Sequence, residues 1–309
     1  MIALYIILFL IFAVFLTSFI CFMKVFYSPK RKVLGENEFD LLEGEIYEPY
    51  HESMIGWMKQ IRSMPHDEFE ITSFDGLKLR GRYYETKKGA PIEIMFHGYQ
   101  GNAERDLCGG VFRAFALDHN ALIVDHRASG TSDGRIITFG INEHKDCLRW
   151  VDFAVKHFGD DVRLILTGIS MGAATVMTAS GCDLPKNVMF VLADCGYTTA
   201  KDIIKKVIRD MKLPDNLLYP FVKLGARIFG RFDLEETSPL ERVKQSRVPI
   251  IIYHGDTDAF VPCEMSRELY EACSAKKRLE IISGVGHGLC YPSNKEQYLS
   301  AAREFENSL

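Results

Sequence analysis

Serine, histidine and aspartate recur in this 309-residue chain where they could act together. Ser170 sits in Gly168-Ile169-Ser170-Met171-Gly172, directly after the apolar run Leu164-Ile165-Leu166. That pattern predicts a strand that turns sharply at the serine and enters a helix at once, presenting the hydroxyl at the positive end of the helix. A serine hydroxyl is a weak nucleophile at neutral pH. It needs a base within hydrogen-bond reach, and the base needs an acid to orient it. His287, between Gly286 and Gly288, suits an exposed loop base better than a core position. The loop His254-Gly255-Asp256-Thr257-Asp258 offers two carboxylates, and Asp194 ends the strand after the elbow. Asp258 ranks first as the orienting acid, Asp194 second and Asp256 third. The order Ser, Asp, His along the chain is the one expected after a Gly-x-Ser-x-Gly elbow.

Acyl transfer at such a serine also needs two backbone N–H groups aimed at the developing oxyanion. Met171 supplies one, as the residue after the nucleophile. The other is assigned to Tyr99, in the loop His97-Gly98-Tyr99-Gln100-Gly101-Asn102. His97, placed before a glycine, reads as a brace for that loop rather than as a base.

These loops require a sheet whose strands all end on one side. Residues 69–84 read as a β-hairpin turning at Asp75-Gly76. Strands at 91–96, 121–124, 163–166, 188–192, 249–253 and 278–282 then alternate with helical patterns, the signature of a mostly parallel sheet with crossover helices. Asn142 is the expected N-cap of one of these helices. Tyr47 to Met64 has helical spacing, and Lys295 to Asn307 closes the chain as a helix. Between Tyr197 and Val243 the alternation stops. An apolar stripe of Ile203, Ile204, Val207, Ile208 and Met211 is ringed by lysines and arginines, and a second apolar stretch runs from Leu217 to Phe229. This segment is expected to be a helical cap, its stripe packed on the core, and the shape of the cap is expected to set the substrate.

Residues Ile2 to Met23 carry no charged side chain. As a helix this run is long enough to cross the roughly 30 Å hydrocarbon core. It has no basic start and is too long for a signal peptide, so an uncleaved single-pass anchor is expected. Lys24, Lys30, Arg31 and Lys32 follow it, which predicts a cytoplasmic catalytic body by the positive-inside rule. The expected organisation is an anchor over 1–24, a linker and N-terminal helix over 25–66, and a catalytic domain over 67–309 with its cap at 197–243. A net charge of −4 gives no reason to expect a nucleic-acid partner. Eight scattered cysteines, none in a C-x-x-C pair, argue against a zinc cluster or a disulfide framework and fit a reducing compartment. No metal and no cofactor is called for. Nothing in the chain signals an oligomeric state.

Five motifs in order carry a family resemblance: His97-Gly98-Tyr99-x-Gly101-Asn102, Asp125-x-Arg127-x-x-Gly130-x-Ser132, Gly168-x-Ser170-x-Gly172, His254-Gly255-x-x-Asp258-x-x-Val261-Pro262 and Gly286-His287. From about Phe69 onward the chain resembles the α/β-hydrolase superfamily, in its capped serine aminopeptidase-like and lipase/esterase-like branch. The resemblance implies an eight-stranded, mostly parallel sheet with helices on both faces and a helical cap between the sixth and seventh strands. It puts the acid at Asp258 and makes Asp125 to Ser132 a structural loop. The N-terminal span is a departure from the generic fold. The function implied is hydrolysis of carboxylic esters or thioesters of small acyl substrates through a Ser170–His287–Asp258 triad. A peptidase of the serine aminopeptidase type is the alternative enzyme, with Glu235 or Glu236 of the cap as candidates to hold a free amine. A non-catalytic binding protein on the same fold is the third reading.

Overall fold

Short apolar runs such as Ile92–Phe96 and Ile250–Gly255 are buried at every residue, as strands covered on both faces must be. The computed structural model describes residues 1–29 and 34–309. In chain order the elements are α1 (Ile2–Val25), α2 (His51–Ser63), β1 (Asp67–Thr72), β2 (Lys78–Tyr84), β3 (Ile92–Phe96), α3 (Ala103–Ala116), β4 (Asn120–Val124), α4 (Glu143–Phe158), β5 (Leu164–Ile169), α5 (Met171–Ser180) and β6 (Val188–Asp194). Then come α6 (Ala200–Asp210), α7 (Asp215–Gly225), α8 (Pro239–Val243), β7 (Ile250–Gly255), α9 (Cys263–Ala272), β8 (Lys277–Ile282), α10 (Cys290–Ser293) and α11 (Lys295–Asn307).

The strands form one sheet in the order β1-β2-β4-β3-β5-β6-β7-β8. β2 runs antiparallel to β1 and β4, and every pairing from β4 to β8 is parallel. Register matters most for the site. Phe96 pairs with Gly168, Ile169 with Asp194, Asp194 with Tyr253 and Gly255 with Ile282. The loops leaving these strands therefore emerge side by side at the carboxyl edge, where open α/β sheets hold their chemistry.

Side chains alternate between the two faces along each strand. Ile92, Ile94 and Phe96 pack with Trp150 and Val151 of α4 and with Val176 and Met177 of α5. Met95, between them, packs with Met54 and Met58 of α2 and with Leu107 and Val111 of α3. α11 covers β5 to β7 through Tyr298, Ala301 and Phe305. This is the α/β-hydrolase fold, with helices on both faces as expected.

Several local details differ from expectation. The hairpin strands end at Thr72 and restart at Lys78, because Ser73 Oγ accepts from Leu77 N–H and donates to Asp75 Oδ1, widening the turn. Asn142 stands at the start of α4 but makes no side-chain cap. The neighbouring Glu143 carboxylate instead accepts from the N–H groups of Thr138 and Gly140, and Thr138 Oγ1 accepts from Asn142 N–H. Thr199 caps α6 by accepting from Asp202 N–H.

The insertion between β6 and β7 is helical, as expected, and buries Ile203, Ile204 and Ile208 of α6. What they pack against includes the end of α1. Phe22 and Phe26 join Ile203, Tyr219, Val222 and Phe232 in one cluster. Beyond α1, Tyr27 bridges Ile136, and Phe26 C=O accepts from Ile137 N–H at 2.8 Å. The last turns of the apolar helix are thus part of the folded body. Lys30, Arg31 and Lys32, invoked for orientation, lie outside the described residues, as does residue 33 of the linker expected within 25–66.

Candidate active site

The turn from β5 into α5 has room for no side chain at its two glycines. A Cβ on Gly172 would fall 2.0 Å from Phe96 C=O, and one on Gly168 would fall 2.2 Å from the Gly172 backbone. This close approach presses the N-terminus of α5 against the end of β3. It leaves Ser170 at φ 56°, ψ −115°, a strained position for a side-chain-bearing residue. Ser170 N–H donates to Asp194 C=O at 2.8 Å, which fixes the turn to the next strand.

His287 Nε2 lies 3.0 Å from Ser170 Oγ, and His287 Nδ1 lies 2.6 Å from Asp258 Oδ2. A carboxylate only accepts, so Nδ1 carries the proton and Nε2 is free to accept from the serine hydroxyl. Asp258 is held from several sides. Its Oδ1 accepts from Phe260 and Val261 N–H, each at 2.8 Å, and His254 Nε2 stands 3.2 Å from its Oδ2. Burial works to raise the Asp258 pKa. The hydrogen bonds from His254 and His287 outweigh it and hold the carboxyl well below the usual carboxylate range. His254 Nε2 also faces Val261 C=O at 2.9 Å, and its Nδ1 faces Ser266 Oγ at 2.6 Å. Nε2 therefore carries the proton and Nδ1 accepts from the Ser266 hydroxyl.

Neither of the other candidate acids hydrogen-bonds to His287. Asp194 is buried beside Cys290, and burial raises its pKa. Asp256 accepts from Ser283 Oγ and Gly284 N–H, fastening the β7 loop to the β8 loop. Cys195, which the sequence did not single out, has its Sγ 4.0 Å from His287 Nε2. Donor atoms of Cys195, Asp258 and His287 lie within 4.8 Å of one another. Burial pushes the Cys195 thiol well above its ordinary pKa, which disfavours the thiolate that a metal ligand requires.

The loop after β3 passes close over the serine. A Cβ on Gly98 would meet Ser170 Cβ at 3.6 Å. Gly98 N–H is already committed to Asp106 Oδ2 at 3.1 Å, and Arg105 Nε holds the other oxygen of that carboxylate at 2.6 Å. His97 braces the loop, as expected: its Nδ1 faces Gly98 C=O and its Nε2 accepts from His126 N–H. Burial lowers the His97 pKa and keeps the ring neutral. Beneath it, Asp125 accepts from Ala103 and Thr131 N–H, and Ser132 Oγ donates to Asp125 C=O. Asp125 to Ser132 is thus a structural loop. Arg127 is taken up by Asp146 and Asp75.

Ser170 and His287 open into a cavity of about 640 Å³. Its lining corrects the expectation that the cap shapes the substrate, because no residue from 197 to 243 contributes. The wall comes from the segment ahead of the sheet, with Leu42, Ile46, Tyr47, Tyr50, Met54 and Trp57, together with α3, Ile169 and Phe260. Glu235 and Glu236 do not line the cavity and are paired with Lys223 and Lys145. The helical spacing of 47–64 was visible in the sequence, but nothing in it said that one flank of that segment faces the serine.

The sequence model of the prolyl oligopeptidase family matches residues 138–307. The chain belongs to that family. Family members therefore share the part of this molecule that runs from α4 through the elbow to α11. Among similar proteins, YqkD of Bacillus subtilis is 26% identical over 253 residues, covering 81% of this chain and 82% of its own. The thiohydrolase aneE of Aspergillus aculeatus is 29% identical over 157 residues, 48% of this chain and 46% of that one. An esterase of Pyrococcus furiosus has the same fold, with a TM-score of 0.67 at 21% identity over 91% of this chain and 98% of its own. The prolyl oligopeptidase family assignment and this shared fold make the chain an α/β-hydrolase.

Proposed function

We propose that this protein is a serine hydrolase that cleaves esters or thioesters of apolar acyl groups. The observation that carries the reading is the relay Asp258–His287–Ser170, at 2.6 and 3.0 Å, opening on an aromatic and aliphatic cavity. In this reading Ser170 Oγ attacks the acyl carbon while His287 Nε2 takes its proton. Asp258 keeps the imidazole in the required tautomer and stabilises the imidazolium. The N–H groups of Met171 and Tyr99 receive the oxyanion. His287 then returns the proton to the leaving alcohol or thiol, and water releases the acid from the acyl-enzyme by the same route. The aspartate role is assigned to Asp258 and withdrawn from Asp194. The names of the Pyrococcus esterase and the Aspergillus thiohydrolase are consistent with this bond class.

A peptidase reading has one observation of its own: Glu43 and Glu45 stand exposed on the cavity wall, where a substrate amine could meet them. A fluorophosphonate probe should label the wild-type protein and not Ser170→Ala. Failure of the folded wild type to react would sink the serine-hydrolase reading. Turnover of p-nitrophenyl esters with apolar acyl chains, set against aminoacyl anilides, separates the two bond classes.

We further read α1 as a retained membrane anchor. Supporting this, Phe22 and Phe26 are buried in the body and Val25 C=O accepts from the Tyr99 hydroxyl at 2.8 Å. Cleavage near the end of the helix would strip these contacts from the loop beside Ser170. The body is assigned to the cytoplasmic side on the strength of the basic residues after the span, and the catalytic domain to 67–309. Protease protection on intact cells tests the orientation; digestion of the body from outside would reverse it.

A further inference from the structure

α1 does not stand clear of the body. From Phe15 onward it runs against the helical insertion. The Phe229 ring meets Phe15, Phe19 and Phe22 at centroid distances of 5.0, 5.1 and 5.6 Å. α7 packs along the same stretch, where a Cβ on Gly225 would fall 2.5 Å from Ser18 C=O. Such small-residue crossings bring helix backbones together inside membranes.

The lengths do not allow this contact to lie in water. A bilayer core is about 30 Å thick and takes about 20 helical residues to cross. Only residues 2–14 of α1 precede the first contact with Phe229, and at about 1.5 Å per residue they reach about 20 Å. The first charged side chain after the run is Lys24. Placing Lys24 at the headgroups fills the core and puts Ser18 about 9 Å below them. Whatever packs on Ser18 goes to that depth, within the range that interfacial helices occupy.

The surface of the insertion matches this immersion. Leu217 of α7 is 63% exposed and Ile228, in the π-helical turn Ala226–Gly230, is 45% exposed. Met211 and Leu213, in the connection between α6 and α7, are also exposed. Around them the charge is net basic: residues 199–231 hold eight lysines and arginines against three aspartates, although Lys201, Lys223 and Arg227 pair with Asp233 and Glu235 just beyond. Apolar side chains among basic ones are what an anionic bilayer surface attracts.

We propose that α7 and the turn 226–230 are embedded in the interfacial layer of an anionic-lipid bilayer beside α1, so that the insertion is a membrane-docking element rather than a lid over Ser170. The proposal rests on α1 being a membrane span. It also fixes the setting of the site. Tyr99 lines the cavity and hydrogen-bonds to Val25 of α1, and Phe260 at the cavity lies 5.9 Å from Lys206 of α6. The cavity is thus held at the end of the body that meets the lipid.

The test uses the full chain in vesicles of phosphatidylcholine and phosphatidylglycerol. In a Cys21→Ser, Cys182→Ser background, Phe12→Cys, Ile228→Cys and Ser274→Cys each carry an environment-sensitive fluorophore. Phe12 reports the span, Ile228 the insertion, and Ser274 the exposed connection before β8 at the opposite edge of the sheet. Quenching by doxyl-labelled lipid is expected at Phe12→Cys and Ile228→Cys, several-fold above that at Ser274→Cys, with blue-shifted emission at both. Quenching at Phe12→Cys but not at Ile228→Cys overturns the immersion of the insertion while leaving the span intact. Absence of quenching at both removes the span and the proposal together. Labelling by fluorophosphonate in the same samples reports the hydrolase reading independently.

Discussion

Asp258→Asn is the substitution whose consequence the geometry specifies most closely. An amide has one accepting end and one donating end. The Oδ1 position of Asp258 receives two backbone N–H groups, from Phe260 and Val261, each at 2.8 Å. Turning the NH₂ toward them would leave two buried donors facing a donor, at about 1–3 kcal/mol each. The amide oxygen therefore stays at Oδ1, and the NH₂ takes the Oδ2 position, 2.6 Å from His287 Nδ1. There it donates, so Nδ1 must accept and the ring proton moves to Nε2. That nitrogen, 3.0 Å from Ser170 Oγ, can then no longer take the serine proton. The same NH₂ also faces the N–H of His254 at 3.2 Å, which loosens the loop. A wrong tautomer with the triad otherwise in place costs about 10⁴ in kcat in the serine-protease case, or about 5 kcal/mol of transition-state stabilisation. We expect a loss of about 10³- to 10⁴-fold in kcat for p-nitrophenyl ester hydrolysis, with KM little changed. The fluorophosphonate labelling rate should fall in parallel, and circular dichroism should show a folded protein. Asp194→Asn, whose carboxylate does not reach His287, should keep most of its kcat. A folded Asp258→Asn enzyme retaining a tenth or more of wild-type turnover would refute the tautomer argument, and a larger loss in Asp194→Asn would move the acid to that residue.

Two further expectations concern stability. Gly172→Ala places a methyl group 2.0 Å from Phe96 C=O, where both partners are backbone; we expect loss of more than about 3 kcal/mol or no folded protein. Gly56→Ala, in the interior of α2 with nothing within 4 Å of the new Cβ, should instead raise stability by about 0.5–1 kcal/mol; thermal melting of the pair checks the opposite signs. His119 supplies the pH dependence. Burial works to lower its pKa, but hydrogen bonds to Glu306 and Glu93 outweigh it and raise the value to about 9. A raised folded-state value means that this contribution is complete below the ordinary value of 6.5 and is lost as pH climbs through about 9. His119→Gln should flatten the alkaline decline of the melting temperature, and an unchanged decline would show that the cluster does not carry it.

The sheet and the reactive loops were legible because their patterns have few physical solutions. A strand running into Gly-x-Ser-x-Gly must turn at Ser170, since only glycine clears Phe96 C=O at 172 and the Gly172 backbone at 168. The two loops carrying Asp258 and His287 leave neighbouring strands, so strand order alone brings them near each other. The resemblance ranks Asp258 over Asp256, two residues away in one loop, but the physical reason lies in hydrogen bonds that spacing alone does not reveal. Oδ1 of Asp258 turns back to two N–H groups of its own loop, while Asp256 turns outward to the β8 loop. His254 was legible as part of a motif but not as a second support for the acid, because a buried histidine at a strand end has no sequence mark of its partner.

The wall of the cavity and the seating of α1 were hidden for a deeper reason. Periodicity reports which side of a helix avoids water, not what covers it. Along 47–61 the apolar side divides between the core under α3 and the cavity at Ser170: Met58 and Ile61 take the first, Tyr47 and Trp57 border the second, and Met54 reaches both. One stripe therefore serves two surfaces, and the sequence reads as an ordinary packed helix. α1 is apolar on every side, so its pattern cannot separate the face left exposed from the face packed on protein. Ser18 and Gly225, two small residues far apart in the chain, make that separation by letting two backbones approach, and neither belongs to a motif. The consequence for function follows from the same contacts. With α1 and the insertion joined, the segment expected to cap the site packs elsewhere, and the cavity at Ser170 is walled by residues between Leu42 and Trp57, by α3 and by Phe260.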